Sequence, residues 1–518
     1  MAPSEEIELK LEVPTRRVRD LTNLPLLKRL KPNETKIIRS VYFDTKKGKL
    51  HKNGLSLRVR QINHEIVQTI KQRKDRGVVL FERSEWESTI NRRRPDLEAA
   101  HDTALAPFLD KKLERNLRPV FETRVRRRIF PVDHENSKIE LALDNGQIKA
   151  RGRSTRFCEI ELELKDGGPE KVFDLARALC KHLPLAPAAQ SKAGRGYALA
   201  ARTPPAPVKA EPITLNAEAA WAKAFQAIAR GCLYQLAGNR PAVLLGDTEA
   251  IHQMRIGIRR LRAAISLFKE MLSGPQTDTI KAELKWLTGE LGPARELDVF
   301  MKRVVEPAKK RKANGQAMRP AVEDFRAQCV QSISRAKDAV RSPRFRNLVL
   351  DAVAWIAMGD WMHRDDQGSG ARVPLFAADG ATAELHRLTQ GIRKKTARLV
   401  ELDTRSRHKL RIRAKKLRYA CEFFAGAFPA AQAAKRRKTF IAKLKDVQDA
   451  LGDLHDITVH EDLAKTAIQS PNAPDARRGR AAFEAGRLAE SESARFGRAM
   501  KSAERACRKF AKAKPFWT

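Results

Sequence analysis

The sequence contains no run approaching about 18 apolar residues, so no segment offers a membrane-spanning helix. Its first ten residues, Met1 to Lys10, lack a basic stretch followed by an apolar one, and no secretory leader is expected. The six cysteines (Cys158, Cys180, Cys232, Cys329, Cys421 and Cys507) are widely separated, with no CxxC pair. That excludes a disulfide framework and a structural zinc site and leaves reduced thiols, as in a cytoplasmic protein. Aromatic residues make up only 6%, with four tyrosines, and are not interleaved with basic residues. Platforms for stacking bases are therefore scarce, and no specific nucleic-acid reader is expected. Acidic residues are also in deficit, 62 against 102 basic, giving a formal charge of +40. Such an excess calls for a polyanionic partner: nucleic acid, polyphosphate or an anionic surface.

What is present is enough for several folded domains. The 518 residues are 42% hydrophobic, too many for a disordered basic tail, so the charge must be displayed on folded surfaces. Over residues 1–200, charged residues alternate with β-branched or aromatic ones, as in Ser56-Leu57-Arg58-Val59-Arg60 and Glu159-Ile160-Glu161-Leu162-Glu163-Leu164. This period of two marks strands with one polar and one apolar face. Beyond about residue 213, Ala, Leu, Lys, Arg and Glu dominate with helical spacing, after a proline-rich seam at 204–212. The expectation is an α+β multidomain protein: a tunnel domain over 1–203, a linker over 204–212, and an all-α domain over 213–518.

A charged face this dense cannot be a core, yet the opposite face needs apolar cover. Strands that curl into an antiparallel barrel satisfy both, with the charged face lining a wet lumen and helices flanking the outside. By parity the lumen holds Glu6, Glu8 and Lys10; Arg58 and Arg60; Thr69, Lys71 and Arg73; Arg83, Glu85 and Glu87; and Glu159, Glu161 and Glu163. Lysine and arginine can grip phosphate oxygens, and a hard divalent cation, Mg²⁺ or Mn²⁺, would reconcile carboxylates with such an anion. The pair Glu85 and Glu87 is read chiefly as orienting its basic neighbours.

Glu6-Ile7-Glu8-Leu9-Lys10 resembles the ExExK signature of the CYTH, or triphosphate tunnel metalloenzyme, family. Companion segments follow in the family's order: Tyr42-Phe43-Asp44-Thr45, Leu57-Arg58-Val59-Arg60, Thr69-Ile70-Lys71, Arg83 to Glu87, Asp144-Asn145-Gly146, Glu159 to Glu163 and Ser191-Lys192. The resemblance implies a closed strand tunnel acting on triphosphates with a divalent metal. It places Glu6, Glu8, Glu161 and Glu163 at the metal, with Glu159 as a helper, and Lys10, Arg58, Arg60, Lys71 and Lys192 on the phosphates. A further substrate arginine falls within Arg124 to Arg128. Parity favours Arg124 or Arg126, and placement before Ile129-Phe130 favours Arg127.

The helical part repeats itself. His252-Gln253-Met254-Arg255, continuing through Arg259, Arg262 and Phe268, matches His408-Lys409-Leu410-Arg411, continuing through Lys415, Arg418 and Phe424, at an offset of 156. Leu291-Gly292-Pro293-Ala294-Arg295-Glu296 matches Leu451-Gly452-Asp453-Leu454-His455-Asp456 at an offset of 160. Two helical bundles are expected, about 213–362 and 381–518, joined near His363 to Gly380. On each copy His252, Arg255, Arg259 and Arg262, or His408, Arg411, Lys415 and Arg418, form a basic stripe beside an apolar one, while Arg260 and Lys416 fall nearer the solvent side. These blocks resemble the CHAD domain, which implies inorganic polyphosphate binding by the eight stripe residues.

Together the two halves point to a metal-dependent inorganic triphosphatase that takes tripolyphosphate, with polyphosphate bound by the helices and neither nucleic acid nor membrane as specific partner. The alternatives are action on an organic triphosphate, as an adenylate cyclase or thiamine triphosphatase, or polyphosphate binding without catalysis.

Overall fold

The computed structural model describes residues 8–18, 20, 23–24, 32–63, 65–73, 83–188, 190–302, 319–362, 376–468 and 495–517. It is an α+β protein in which an N-terminal antiparallel sheet precedes a helical region.

Nine strands form one sheet: β1 (Glu8–Val13), β2 (Glu34–Asp44), β3 (Leu55–Ile62), β4 (Glu65–Arg73), β5 (Arg83–Thr89), β6 (Arg118–His134), β7 (Ser137–Ala150), β8 (Arg153–Asp166) and β9 (Ala186–Pro187). Their order is β5-β4-β3-β2-β6-β7-β8-β1-β9. Alternation sorts the side chains. Leu9, Leu11 and Val13 of β1 and Cys158, Ile160 and Leu162 of β8 are buried on the outer face, while Glu8, Lys10, Glu159 and Glu161 occupy the inner one.

The sheet is strongly curved. Between β1 and β4 lie five other strands, so a flat sheet would separate them by about 29 Å at roughly 4.8 Å per strand. Yet Lys71 on β4 lies close enough to Lys10 and Glu8 on β1 to interact with both charges. The inner face therefore encloses one hollow.

Two longer helices flank the sheet in this half. Helix α1 (Glu170–His182) covers the apolar outer face of β8 with Val172, Phe173 and Ala176. Helix α2 (Lys192–Ala201) lies on the inner side, where Tyr197 and Ala200 pack with Phe121, Ile148 and Phe157. A Cβ on Gly196 would stand 2.1 Å from the Phe121 ring, so only glycine lets α2 settle there.

The seam that follows has no regular secondary structure, but it is docked: Val208 N–H donates to the Asn239 side chain at 2.9 Å, and Asn239 donates back to Val208 O at 2.8 Å. The helical region comprises α3 (Trp221–Gly238), α4 (Arg240–Leu245), α5 (Thr248–Leu267), α6 (Pro275–Phe300), α7 (Arg319–Arg341), α8 (Pro343–Met358), α9 (Ala377–Thr396), α10 (Thr404–Phe423) and α11 (Ala431–Ile468), with further helix over 495–511. Its core is continuous with the outer face of the sheet. At that junction Arg177 of α1 donates to Asp351 of α8 at 2.9 Å. The expected joint at His363 to Gly380 lies outside the described residues as far as 375; α9 begins at Ala377.

The repeat in the sequence becomes a pseudo-twofold pairing of α5 with α10. Asp247 caps α5 and Asp403 caps α10, again 156 residues apart. Arg260 Nη1 donates to Glu422 at 2.7 Å. The matching pair, Lys416 and Ser266, repeats the contact from the other side, with Lys416 Nζ 3.2 Å from Ser266 O. Such reciprocity is the mark of an isologous interface. Arg260 is thus 5% exposed and covers the Phe423 ring, not the solvent side that helical phase alone suggests. The reason is that the second copy, not water, covers that face.

Candidate active site and basic helical face

The register of the sheet builds the candidate site from the inner face. Lys10 stands opposite Glu161 and Glu8 opposite Glu163, across β1 and β8. Glu159 stands opposite Asp144 across β8 and β7, and Asp144 opposite Arg127 across β7 and β6. Farther round, Ser40 is opposite Arg60, Tyr42 opposite Arg58, and Lys71 opposite Glu85.

The centre is a cage of three buried carboxylates, Asp144, Glu159 and Glu161, with one oxygen from each lying within 4.8 Å of the others. Ser191 starts α2 by accepting from Gly194 N–H at 3.1 Å, and this cap aims Lys192, in the first turn, into the cage. The Lys192 ammonium is 2.8 Å from Asp144 Oδ2, from Glu159 Oε2 and from Glu161 Oε1. Arg127 forks onto Asp144 at 2.7 and 2.8 Å and also pairs with Glu161, while Lys10 is 2.8 Å from Glu161 and 2.7 Å from Glu8. Arg195 closes the far side on Glu159. Burial alone would push the Glu161 carboxyl up, but Lys10, Lys192 and Arg127 outweigh it and hold it well below the usual range.

A second cluster lies on the inner face of β3, β4 and β5. Arg58 donates to Glu85 at 3.2 Å, Lys71 also pairs with Glu85, and Thr69 donates to Glu87 at 2.9 Å. Arg60 is 3.9 Å from Glu87. Glu85 and Glu87 therefore hold the basic groups in place. Burial raises the Glu85 carboxyl, and Lys71 and Arg58 overcome it and bring it to about 2. Burial, then Arg58, lowers the Lys71 ammonium to about 8.

Several residues named from the sequence converge: Lys10, Lys192, Arg127 and Glu161 at the cage, and Arg58, Arg60 and Lys71 in the second cluster. Others do not. Arg124 lies on the opposite face of β6 from Arg127, is 56% exposed, and pairs with Glu122. Parity misassigned Arg124 because the apolar residues of this part of β6, Phe121 and Val125, face inward against α2, so the inner face runs Phe121, Thr123, Val125, Arg127 in unbroken alternation. Glu163 and Glu8 stay outside the three-carboxylate cage: Glu163 pairs with Lys165, and burial pushes the Glu8 carboxyl up. Glu6 lies outside the described residues. Asp144, not named among the metal ligands, joins Glu159 and Glu161 in the cage. Its signal was the Asp144-Asn145-Gly146 segment among the family's companions, and the place of β7 between β6 and β8 is what sets it beside Glu159.

The stripes of the helical region also have a defined geometry. Arg255 donates to Thr288 O at 3.3 Å and lies across Gly292, where a Cβ would stand 3.1 Å from its Nη1. In the second copy Arg411 lies across Gly452, at 3.7 Å. The two repeated blocks thus meet in space; Gly292 makes room for its arginine, whereas at Gly452 the approach is an ordinary contact. His252, Arg255 and Arg259 are half-buried and Arg262 is exposed; His408, Arg411, Lys415 and Arg418 are half-buried. Burial, reinforced by Arg295, lowers His252 to about 4, so it is a neutral ring at pH 7. The side chains of His455 and Asp456 lie outside the described residues.

Comparison with known proteins finds two families, one in each part of the chain. Residues 4–197 match the family model described as the CYTH domain, and residues 227–465 the one described as the CHAD domain. An inorganic triphosphatase from Haemophilus influenzae is 29% identical over 198 residues, covering 38% of this chain and 56% of that protein, so the match spans little more than half of that relative. Among solved structures, the CHAD domain from Ricinus communis is 28% identical over 58% of this chain and 96% of its own, with a TM-score of 0.49. A Hippeastrum protein described as a candidate adenylyl cyclase with a dominant triphosphatase activity is 20% identical over 37% of this chain and 95% of its own, with a TM-score of 0.29.

Proposed function

For a chain that belongs to the proteins in which a CYTH domain is followed by a CHAD domain, we propose that the tunnel hydrolyses inorganic tripolyphosphate with a divalent cation and that the helical stripes bind longer polyphosphate. The observation that carries this reading is the enclosure of a three-carboxylate cage and a separate cluster of Arg58, Arg60 and Lys71 in one hollow. A short, highly charged anion spanning the two would meet cations along its length. Tripolyphosphate has that form and needs no pocket for a base.

The residues fit a hard cation. Asp144, Glu159 and Glu161 offer only oxygen, suited to Mg²⁺ or Mn²⁺. Glu159 Oε2 is buried with no aligned hydrogen bond even though the Lys192 ammonium is 2.8 Å away, which is the open valence a cation would fill. When bound, the ion would supply charge neutralisation at the phosphate and acidification of a water.

The chain's own part is positioning and electrostatics, the main requirements of phosphoryl transfer. Arg58 and Arg60 would present planar forks to non-bridging oxygens, Arg58 being oriented by its hydrogen bond to Glu85 and Arg60 lying 3.9 Å from Glu87. Lys10, Arg127 and Lys192 stand at the cage, where the charge of the cleaved bond would develop. Burial lowers the effective dielectric and strengthens each contact.

The test is phosphate release from tripolyphosphate, ATP, thiamine triphosphate and pyrophosphate, each with Mg²⁺, Mn²⁺ or EDTA. The reading expects strong preference for tripolyphosphate, dependence on added metal, and loss of turnover in Asp144→Asn and Lys10→Ala with folding retained. Equal turnover of ATP would overturn the inorganic assignment, and no turnover would leave a polyphosphate binder.

A further inference from the structure

The outer face of the same sheet carries a charge pattern that the tunnel does not use. On β2, β6, β7 and β8 the side chains opposite in sense to Arg127 form rows across the strands. Arg39 stands opposite Arg124, Arg124 opposite Gln147, and Gln147 opposite Arg156. Ile37, Arg126 and Asn145 make the next row, and Glu122, Lys149 and Ser154 another. Arg39, Arg124, Arg126, Lys149 and Arg156 are all exposed.

Like charges directly opposite one another in a sheet are destabilising. One carboxylate relieves part of the strain: Glu122 accepts from Arg39 at 2.8 Å and from Arg124. Arg126, Lys149 and Arg156 have no ion pair among the described residues, and Arg128 next to them is pushed down by burial and then by Arg126. A rigid face that repels itself gains most from an anion with many charges.

The anion's form follows from what this face lacks. These rows hold no aromatic ring, so nothing would stack a base. Four strands at roughly 4.8 Å spacing are about 14 Å across, too broad to enter the roughly 12 Å major groove of a duplex and read its bases. Closely spaced cations on a broad surface suit a flexible chain made only of phosphate. We propose that the exposed end of the outer face of β2, β6, β7 and β8, around Arg39, Arg124, Arg126, Lys149 and Arg156, is a second binding surface for long inorganic polyphosphate, separate from the tunnel, from the helical stripes and from the part of that face buried under the helices. This goes beyond the catalytic reading and does not depend on turnover.

Lysine acetylation of the full chain, read at single residues by mass spectrometry, tests it at low salt. Long-chain polyphosphate is expected to slow labelling of Lys149 several-fold, whereas tripolyphosphate at equal phosphate concentration leaves it unchanged. In the double variant Arg126→Gln/Arg156→Gln, protection of Lys149 should be lost while protection of Lys415 and hydrolysis of tripolyphosphate persist. Lys149 labelled equally with and without long-chain polyphosphate would overturn the proposal, as would protection by duplex DNA stronger than by polyphosphate. A failure of the tunnel's chemistry would show in phosphate release alone and leave the Lys149 footprint untouched.

Discussion

Lys192 on α2 lies 2.8 Å from Asp144 on β7, and through Asp144 it shares the fork of Arg127. The ammonium fills the middle of the carboxylate cage, the position that suits a divalent cation. On the proposed reading, lysine and cation would draw on the same oxygens, and an arriving phosphate would give the lysine another partner.

Replacing Lys192 with Met should consequently separate two effects. Removing one partner of a buried cluster costs about 3 kcal/mol because three carboxylates are left underneutralised. Added Mn²⁺ should restore much of that stability, and Mn²⁺ binding without substrate, followed by electron paramagnetic resonance, should tighten by about tenfold, equivalent to roughly 1.4 kcal/mol. Turnover of tripolyphosphate should fall. Unchanged Mn²⁺ affinity would show that lysine and cation do not compete.

Lys71 predicts a pH dependence. Its ammonium is lowered to about 8, so it is charged below that pH and increasingly neutral above it. An anionic substrate favours the charged form, so KM for tripolyphosphate should be flat between pH 6 and about 7.5 and rise above about 8. In Lys71→Arg, whose guanidinium stays charged across this range, the alkaline rise should disappear. A rise of the same size in the variant would assign it elsewhere.

The glycines beneath the stripe arginines should respond unequally. Alanine is favoured over glycine in a helix interior by about 1 kcal/mol, so neither replacement should cost much stability. At Gly292 the new methyl would stand 3.1 Å from Arg255 Nη1 and push the guanidinium aside; at Gly452 the 3.7 Å approach is an ordinary contact. Gly292→Ala should weaken polyphosphate binding several-fold in a salt-matched titration, and Gly452→Ala should leave it nearly unchanged. Equal effects would mean that Arg255 does not act from its observed position.

The pseudo-twofold contact predicts an asymmetry in stability. Arg260→Ala strips Glu422 of its closest cation and uncovers Phe423, at a cost of about 2 kcal/mol after allowance for the partial exposure of Glu422. Lys416→Ala removes a partner from a neutral serine and should cost under about 1 kcal/mol. Chemical denaturation measures both; equal losses would sink the assignment of Arg260 as the stronger link.

By itself the sequence determined which residues share a strand face and which helical blocks are copies. A period of two put Glu159, Glu161 and Lys10 on polar faces, and the 156-residue offset related α5 to α10 down to their capping aspartates. Only the tertiary structure decided which faces meet. Strand order set Asp144 beside Glu159 and turned Arg127, not Arg124, toward them, because periodicity fixes a side chain's sense within its own strand but not the strand's neighbours. For the same reason Arg260, whose phase pointed away from its own core, was claimed by the other copy: a local pattern reports a helix's own apolar stripe, and what covers its remaining surface depends on contacts 162 residues away.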